Sequence, residues 1–183
     1  MYLSDNDIEK EVKAGRIKLD PFDPKRLGPA SYDIKLGNRF QIAEWHERAI
    51  IDPSKKVLPA MREIFVKDGG EFVLHPGVVV LGFSHDFFGS DHYLIHLGGK
   101  SSLARIGLMV HNTAGIINPG HFLQIVFELS NTNVVPIVLR PKMEIAQITF
   151  SELSSPPKHT YASMGRYAKD NNRGFVPPKK KKK

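Results

Sequence analysis

The chain has 183 residues, of which 41% are hydrophobic and 25% charged, the proportions of a globular domain large enough to bury a substantial core. No apolar run approaches the ~20 residues of a membrane-spanning helix, the start Met1-Tyr2-Leu3-Ser4-Asp5 lacks a secretory-signal pattern, and cysteine is absent, which excludes disulfides and thiolate metal sites. The net charge of +7 leans on the lysines at 179–183, which supply five of it, so the rest carries only +2 and is no basic nucleic-acid binder.

These priors predict a cytoplasmic protein with neither nucleic acid nor membrane as a partner. In chain order, Ser4 as a cap, Asp7 three positions on, Ile8 and Val12 on one face and Gly15 as a stop predict a helix over residues 4–14. Short apolar stretches separated by Gly, Pro, Asn and Asp follow. Tyr32-Asp33-Ile34-Lys35-Leu36 alternates with period two and stops at Gly37-Asn38, predicting a strand and then a turn. Trp45-His46-Glu47-Arg48 reads as surface loop. Further strands are predicted over residues 72–74, 78–83, 93–97, 125–129, 136–139 and 145–150, with one short helix within residues 101–106. Many short strands argue for a β-sandwich or barrel. The expected domain is 1–153, followed by a polar arm at 154–178 that orders on a ligand or a neighbouring subunit, and a disordered lysine tail at 179–183.

The segment Gly99-Lys100-Ser101-Ser102-Leu103-Ala104-Arg105 is the most informative. It sets two hydroxyls, a lysine and an arginine beside a glycine that admits close backbone approach, a mixture suited to phosphate oxygens. Glu128 then interrupts the apolar run Ile125-Val126-Phe127-Glu128-Leu129. It is either an outward-facing strand glutamate or a buried acid whose raised pKa suits proton transfer. Together the two features point to an enzyme acting on a phosphorylated small molecule. The eight histidines are read as structural or solvated rather than as metal ligands. His92 and His96 stand far apart along a strand, while His111 and His121 flank the segment before Glu128.

The same residues resemble the dCTP deaminase branch of the dUTPase-like superfamily. The likeness runs through Gly99-Lys100-Ser101-Ser102-Leu103-Ala104-Arg105, Thr113-Ala114-Gly115-Ile116-Ile117-Asn118-Pro119-Gly120 and Val126-Phe127-Glu128-Leu129-Ser130-Asn131. Leu3-Ser4-Asp5, Pro29-Ala30-Ser31-Tyr32-Asp33-Ile34 and Arg140-Pro141-Lys142-Met143 continue it, in order, over nearly the whole chain. The resemblance implies a mostly-β, distorted jelly-roll barrel of the dUTPase-like type, with a short N-terminal and one short internal helix. It implies a homotrimer with sites between subunits, dCTP as substrate, dUTP and ammonia as products, and allows dTTP as an inhibitor. Mg²⁺ would arrive through the substrate triphosphate, and no zinc is implied. The absence of cysteine agrees, because zinc deaminases need a Cys-containing site.

By the same resemblance Glu128 is the proton shuttle, Ser101 and the carbonyl of Ala114 position the attacking water, and Arg105 lies beside Glu128 and the nucleotide. Lys100, Ser102, Leu103, Ala104, Val126, Phe127, Gln147 and Tyr161 join the nucleotide contacts. A basic tail contact is either Arg166 or Lys169, and a tail amide is Asn171 or Asn172. Gln147 reads equally as a structural strand glutamine. The chain departs from the family at Asn118, where many relatives carry aspartate. Asparagine can bond a 3′-hydroxyl but cannot act as an anionic base. Hence the leading expectation is deamination that stops at dUTP, with a bifunctional enzyme giving dUMP and diphosphate as the alternative and a non-catalytic nucleotide binder as the second.

Overall fold

The computed structural model describes residues 1–44 and 50–165. The Trp45-His46-Glu47-Arg48 group and the lysines at 179–183 lie outside them. The helix α1 (Asp5–Lys13) forms where expected: Ser4 caps it by accepting from the Asp7 amide, and Ile8 is fully buried. Among the described residues two further single-turn α-helices, α2 (Ser101–Ala104) and α3 (Tyr161–Met164), and a 3-10 turn at Pro24–Arg26 interrupt the strands.

The described residues form twelve strands: β1 (Ile17–Asp20), β2 (Leu27–Gly28), β3 (Ser31–Glu44), β4 (Ala60–Phe65), β5 (Phe72–Leu74), β6 (Val79–Ser90), β7 (Tyr93–Gly99), β8 (Leu108–Met109), β9 (Ile116–Ile117), β10 (His121–Asn131), β11 (Ile137–Leu139) and β12 (Glu144–Glu152). Ten belong to one curled sheet whose main path runs β8-β10-β6-β3-β12-β7-β9, and β5 pairs with β11 alone. The mostly-β expectation holds, with one helix more than foreseen.

β3 organises the sheet. The expected turn at Gly37-Asn38 is absent, and the strand runs 14 residues through it. Its first half pairs with β12 (Tyr32 opposite Ile148) and its second with β6 (Gln41 opposite Leu81). Gly37 marks the changeover: a Cβ there would stand 2.8 Å from the Phe83 carbonyl oxygen, so the glycine serves close backbone approach rather than a turn. Inside the curl, Tyr32, Ile34, Phe40, Phe127, Ile148 and Phe150 form a fully buried core.

A buried ion pair fixes the junction. Arg26 Nη1 bonds Asp86 Oδ2 at 2.9 Å, with the two side chains 3% and 1% exposed. Arg26 also donates to the carbonyls of Asp33 and Pro21 and lies over the Tyr32 ring, 4.6 Å from its centroid. Asp86 accepts from the Lys35 amide at 2.7 Å. Beside it, Ser84 Oγ donates to the Asp86 carbonyl and accepts from the Ile125 amide, where the β6–β10 register shifts. This bulge sets which face of β10 each later residue occupies.

Removing one partner strands a buried charge, so Asp86→Ala should cost about 3–5 kcal/mol of unfolding free energy in a urea titration. A loss below about 1 kcal/mol would mean that the pair does not anchor the junction.

Candidate active site

β7 delivers the chain to Lys100, which precedes α2. The Lys100 ammonium bonds Asp33 on β3 and, at 3.2 Å, Glu144 on β12. Burial pulls its pKa down, but the hydrogen bonds to the two carboxylates outweigh this and hold it above its ordinary value. The Gln147 amide donates to the Gly99 carbonyl at 3.2 Å, one residue earlier, so Gln147 has a structural partner. Leu103 packs against the core, leaving Ser101, Ser102, Ala104 and Arg105 exposed. Among the described residues the side chains of Ser101, Ser102 and Arg105 make no hydrogen bond or ion pair.

Glu128 sits on β10 between Phe127 and Leu129, both fully buried. Strand alternation therefore turns it to the opposite face. The expected burial is only partial within one chain, because its apolar sequence neighbours point into the core while Glu128 points away. Its Oε2 accepts from the Asn112 amide at 3.1 Å. Cross-strand partners share a face, and successive registers place Glu63, Gln41, Leu81 and Glu128 in one row across β4, β3, β6 and β10. Flanking rows on this face carry Met61, Phe65, Val79 and Val126, all exposed, Phe65 to 63%. Arg39, bonded to Glu63, covers Phe83 there at 4.1 Å.

The segment between α2 and β10 connects the parts. Asn112 meets Glu128, the Gly115 carbonyl accepts from Leu97 at 2.8 Å, and Ala114 lies exposed between them. Asn118 is exposed just before Pro119, whose carbonyl accepts from the Tyr161 amide at 2.8 Å. Gly120, at φ +88°, seats the Thr160 turn: a Cβ would lie 2.8 Å from Thr160 Cβ. The Tyr161 and His121 rings meet at 5.0 Å between centroids. Thus Ala114 lies two residues beyond the amide that bonds Glu128, and Asn118 directly precedes the residue whose carbonyl Tyr161 bonds. No ion pair joins Arg105 to Glu128 within one chain. Arg166, Lys169, Asn171 and Asn172 lie outside the described residues. Among the described residues no three His, Asp or Glu side chains could hold a metal ion, and no helix is long and apolar enough to cross a membrane. Sequence reading missed Asp33 and Glu144 as partners of Lys100. They stand 67 and 44 residues from it, with no local pattern to reveal them.

The curled sheet carries a hydroxyl- and cation-bearing turn directly after β7 and a strand carboxylate on its exposed face, features that suit a small-molecule enzyme of β fold. The chain belongs to the dCTP deaminase-like family, whose sequence model matches residues 2–153. It is 45% identical over 169 residues to a protein of Clavibacter michiganensis subsp. michiganensis named dCTP deaminase, dUMP-forming, covering 92% of this chain and 84% of that one. A protein of the same name from Beutenbergia cavernae is 43% identical over 164 residues, covering 89% and 85%. The fold matches the crystal structure of 2′-deoxycytidine 5′-triphosphate deaminase from Agrobacterium tumefaciens with a TM-score of 0.63 at 21% identity, covering 83% of this chain and 48% of that chain.

The relatives correct one expectation. A reaction ending at dUTP was the leading reading because Asn118 lacks a carboxylate, yet the similar proteins, including one from Tropheryma whipplei at 44% identity, are named dUMP-forming. The expectation rested on the charge of one side chain, whereas the likeness to these proteins extends over 84% and 85% of their own length. An amide still accepts and donates hydrogen bonds at that position and can orient a hydroxyl or water.

His121, 8% exposed, is pushed by burial down to about 4, against a smaller upward pull from the Phe88 carbonyl. The unfolded chain takes up a proton between pH 6.5 and about 4 that the folded chain refuses. The stability present above pH 6.5 is therefore lost as pH falls toward 4, by up to about 3 kcal/mol from this group. Urea titrations at pH 7 and 4.5 should show this loss in the wild type and a smaller one in His121→Phe.

Proposed function

We propose that this protein is a bifunctional dCTP deaminase that converts dCTP to dUMP, ammonia and diphosphate. The observation that carries the reading is the 45%-identical relative named for that product, which spans nearly the same length of chain. In the proposed first step water adds to C4 of cytosine. Glu128 takes one proton from that water and passes it to the ring nitrogen, then takes the proton of the new C4 hydroxyl and passes it to the amine, which leaves as ammonia while C4=O forms; Ser101 and the Ala114 carbonyl orient the water. The Asn112 amide bond supports a fixed orientation for the Glu128 carboxylate. Lys100, Ser101, Ser102 and Arg105 bind the phosphates. Mg²⁺ enters as part of the substrate, because hydroxyl and cationic donors suit phosphate oxygens rather than a metal. In the second step Asn118 orients the sugar and a water toward the α-phosphorus.

We further read the active form as a homotrimer with shared sites, with the arm at 154–178 covering the nucleotide. Support comes from the exposed apolar face around Glu128, which a second copy would bury, and from Arg105, exposed and unpaired among the described residues.

Incubating the wild type with dCTP should give dUMP and diphosphate by ion-exchange chromatography, and accumulation of dUTP as the end product would overturn the bifunctional reading. Glu128→Gln should lower ammonia release by ~10²–10⁴-fold while dCTP still binds. Co-refolding inactive Glu128→Gln with inactive Arg105→Met should restore activity, up to about a quarter of wild type, because a shared site draws the two residues from different chains. No restoration would place both in one subunit's site.

A further inference from the structure

We propose that Asp33 and Glu144 are positioning residues that hold the Lys100 ammonium ready for a phosphate oxygen of the substrate, a role that rests on the triphosphate reading above. A lysine carries three N–H donors on a flexible four-carbon stem and contacts phosphate as a point charge. Here two of those donors are committed, one to Asp33 Oδ2 and one to Glu144 Oε2 at 3.2 Å. The third is left for a ligand. The carboxylates come from two paired strands, β3 and β12, beside the Arg26–Asp86 pair. The Asp33 carbonyl accepts from Arg26 at 3.2 Å, and Glu144 pairs in register with Lys35, whose amide is bonded by Asp86. The backbone just before the lysine is also held, through the Gln147 amide on the Gly99 carbonyl. The turn that starts α2 is thus tied to β3 and β12 by side chains from both strands. A preorganised cation loses less freedom on meeting its ligand than a free one, and that is where the affinity comes from.

Two physical effects act in opposite directions here, which makes the proposal decidable. Lys100 with Asp33 and Glu144 carries a formal charge of −1. By charge alone, neutralising either carboxylate would strengthen triphosphate binding. By positioning, the same change frees the lysine and weakens it. The field effect at a partly solvated site is damped by water and salt, so positioning prevails.

The test is steady-state kinetics of ammonia release from dCTP by the wild type, Asp33→Asn, Glu144→Gln, Lys100→Met and the double variant Asp33→Asn/Lys100→Met. Asp33→Asn and Glu144→Gln should each raise KM by ~5-fold with kcat within about twofold of wild type. In the Lys100→Met background, Asp33→Asn should change KM by less than about 1.5-fold, because no cation remains to be positioned. An unchanged or lowered KM in the single variants, or full multiplication of the two effects in the double, would overturn the proposal. Glu144→Gln, at the longer and more exposed contact, reads the same quantity if Asp33→Asn does not fold. A wild type that releases no ammonia from dCTP would instead sink the functional reading itself.

Discussion

The Arg26–Asp86 pair is the constraint on which the remaining geometry depends. Two charges taken out of water gain little net stability from each other. What this pair supplies is placement. Asp86 grips the Lys35 amide of β3, Arg26 grips the Asp33 carbonyl and the Pro21 carbonyl, and the neighbouring Ser84 hydroxyl satisfies the Ile125 amide where the ladder slips. Without that slip the period-two alternation of β10 would be offset, and Glu128 would face a different set of neighbours. The backbone carbonyl of Asp86, through the Ser84 hydroxyl, thereby helps to decide where the Glu128 carboxylate stands.

The site shows a division of labour between rigid and open parts. Lys100 and Gln147 are bound back onto the sheet, while Ser101, Ser102 and Arg105 project from a single helical turn. Glu128 is held by a backbone amide yet flanked by exposed apolar residues. A general acid–base wants a drier setting than one chain provides here. In the proposed reaction, covering this face is part of making the acid work, and assembly and chemistry become two aspects of one requirement.

Much of this was legible in the sequence for local reasons. The cap at Ser4 and the alternation from Tyr32 to Leu36 act within a few residues, and they were read correctly. Gly37-Asn38 was not: a glycine signals both turns and close backbone approach, and only the position of β6 distinguishes them. β4 escaped because Ala60-Met61-Arg62-Glu63 lacks alternation, both of its faces being largely exposed in one chain. The Arg26–Asp86 and Lys100–Asp33 pairs join residues 60 and 67 apart, so nothing short-range encodes them. The expectation at Asn118 was of another kind: it read the end product from the charge of one side chain, and the names of the similar proteins overturn it.

β3 has a consequence for how the protein reaches its native state. Half of the strand belongs to the ladder with β12 and half to the ladder with β6, and β12 lies over a hundred residues further along the chain. β2 and β4 pair with β3 locally, but the ladders with β12 and β6 cannot close until distant sequence has been brought to β3, and such closures are slow because loop entropy is spent before contacts return it. The nascent chain would thus leave the core edge of β3 unpaired until almost the last strand has emerged. In that interval Tyr32, Ile34 and Leu36 face water, and crowding by other unfinished copies becomes a hazard during synthesis. The shared strand makes the finished sheet cooperative and makes its assembly late.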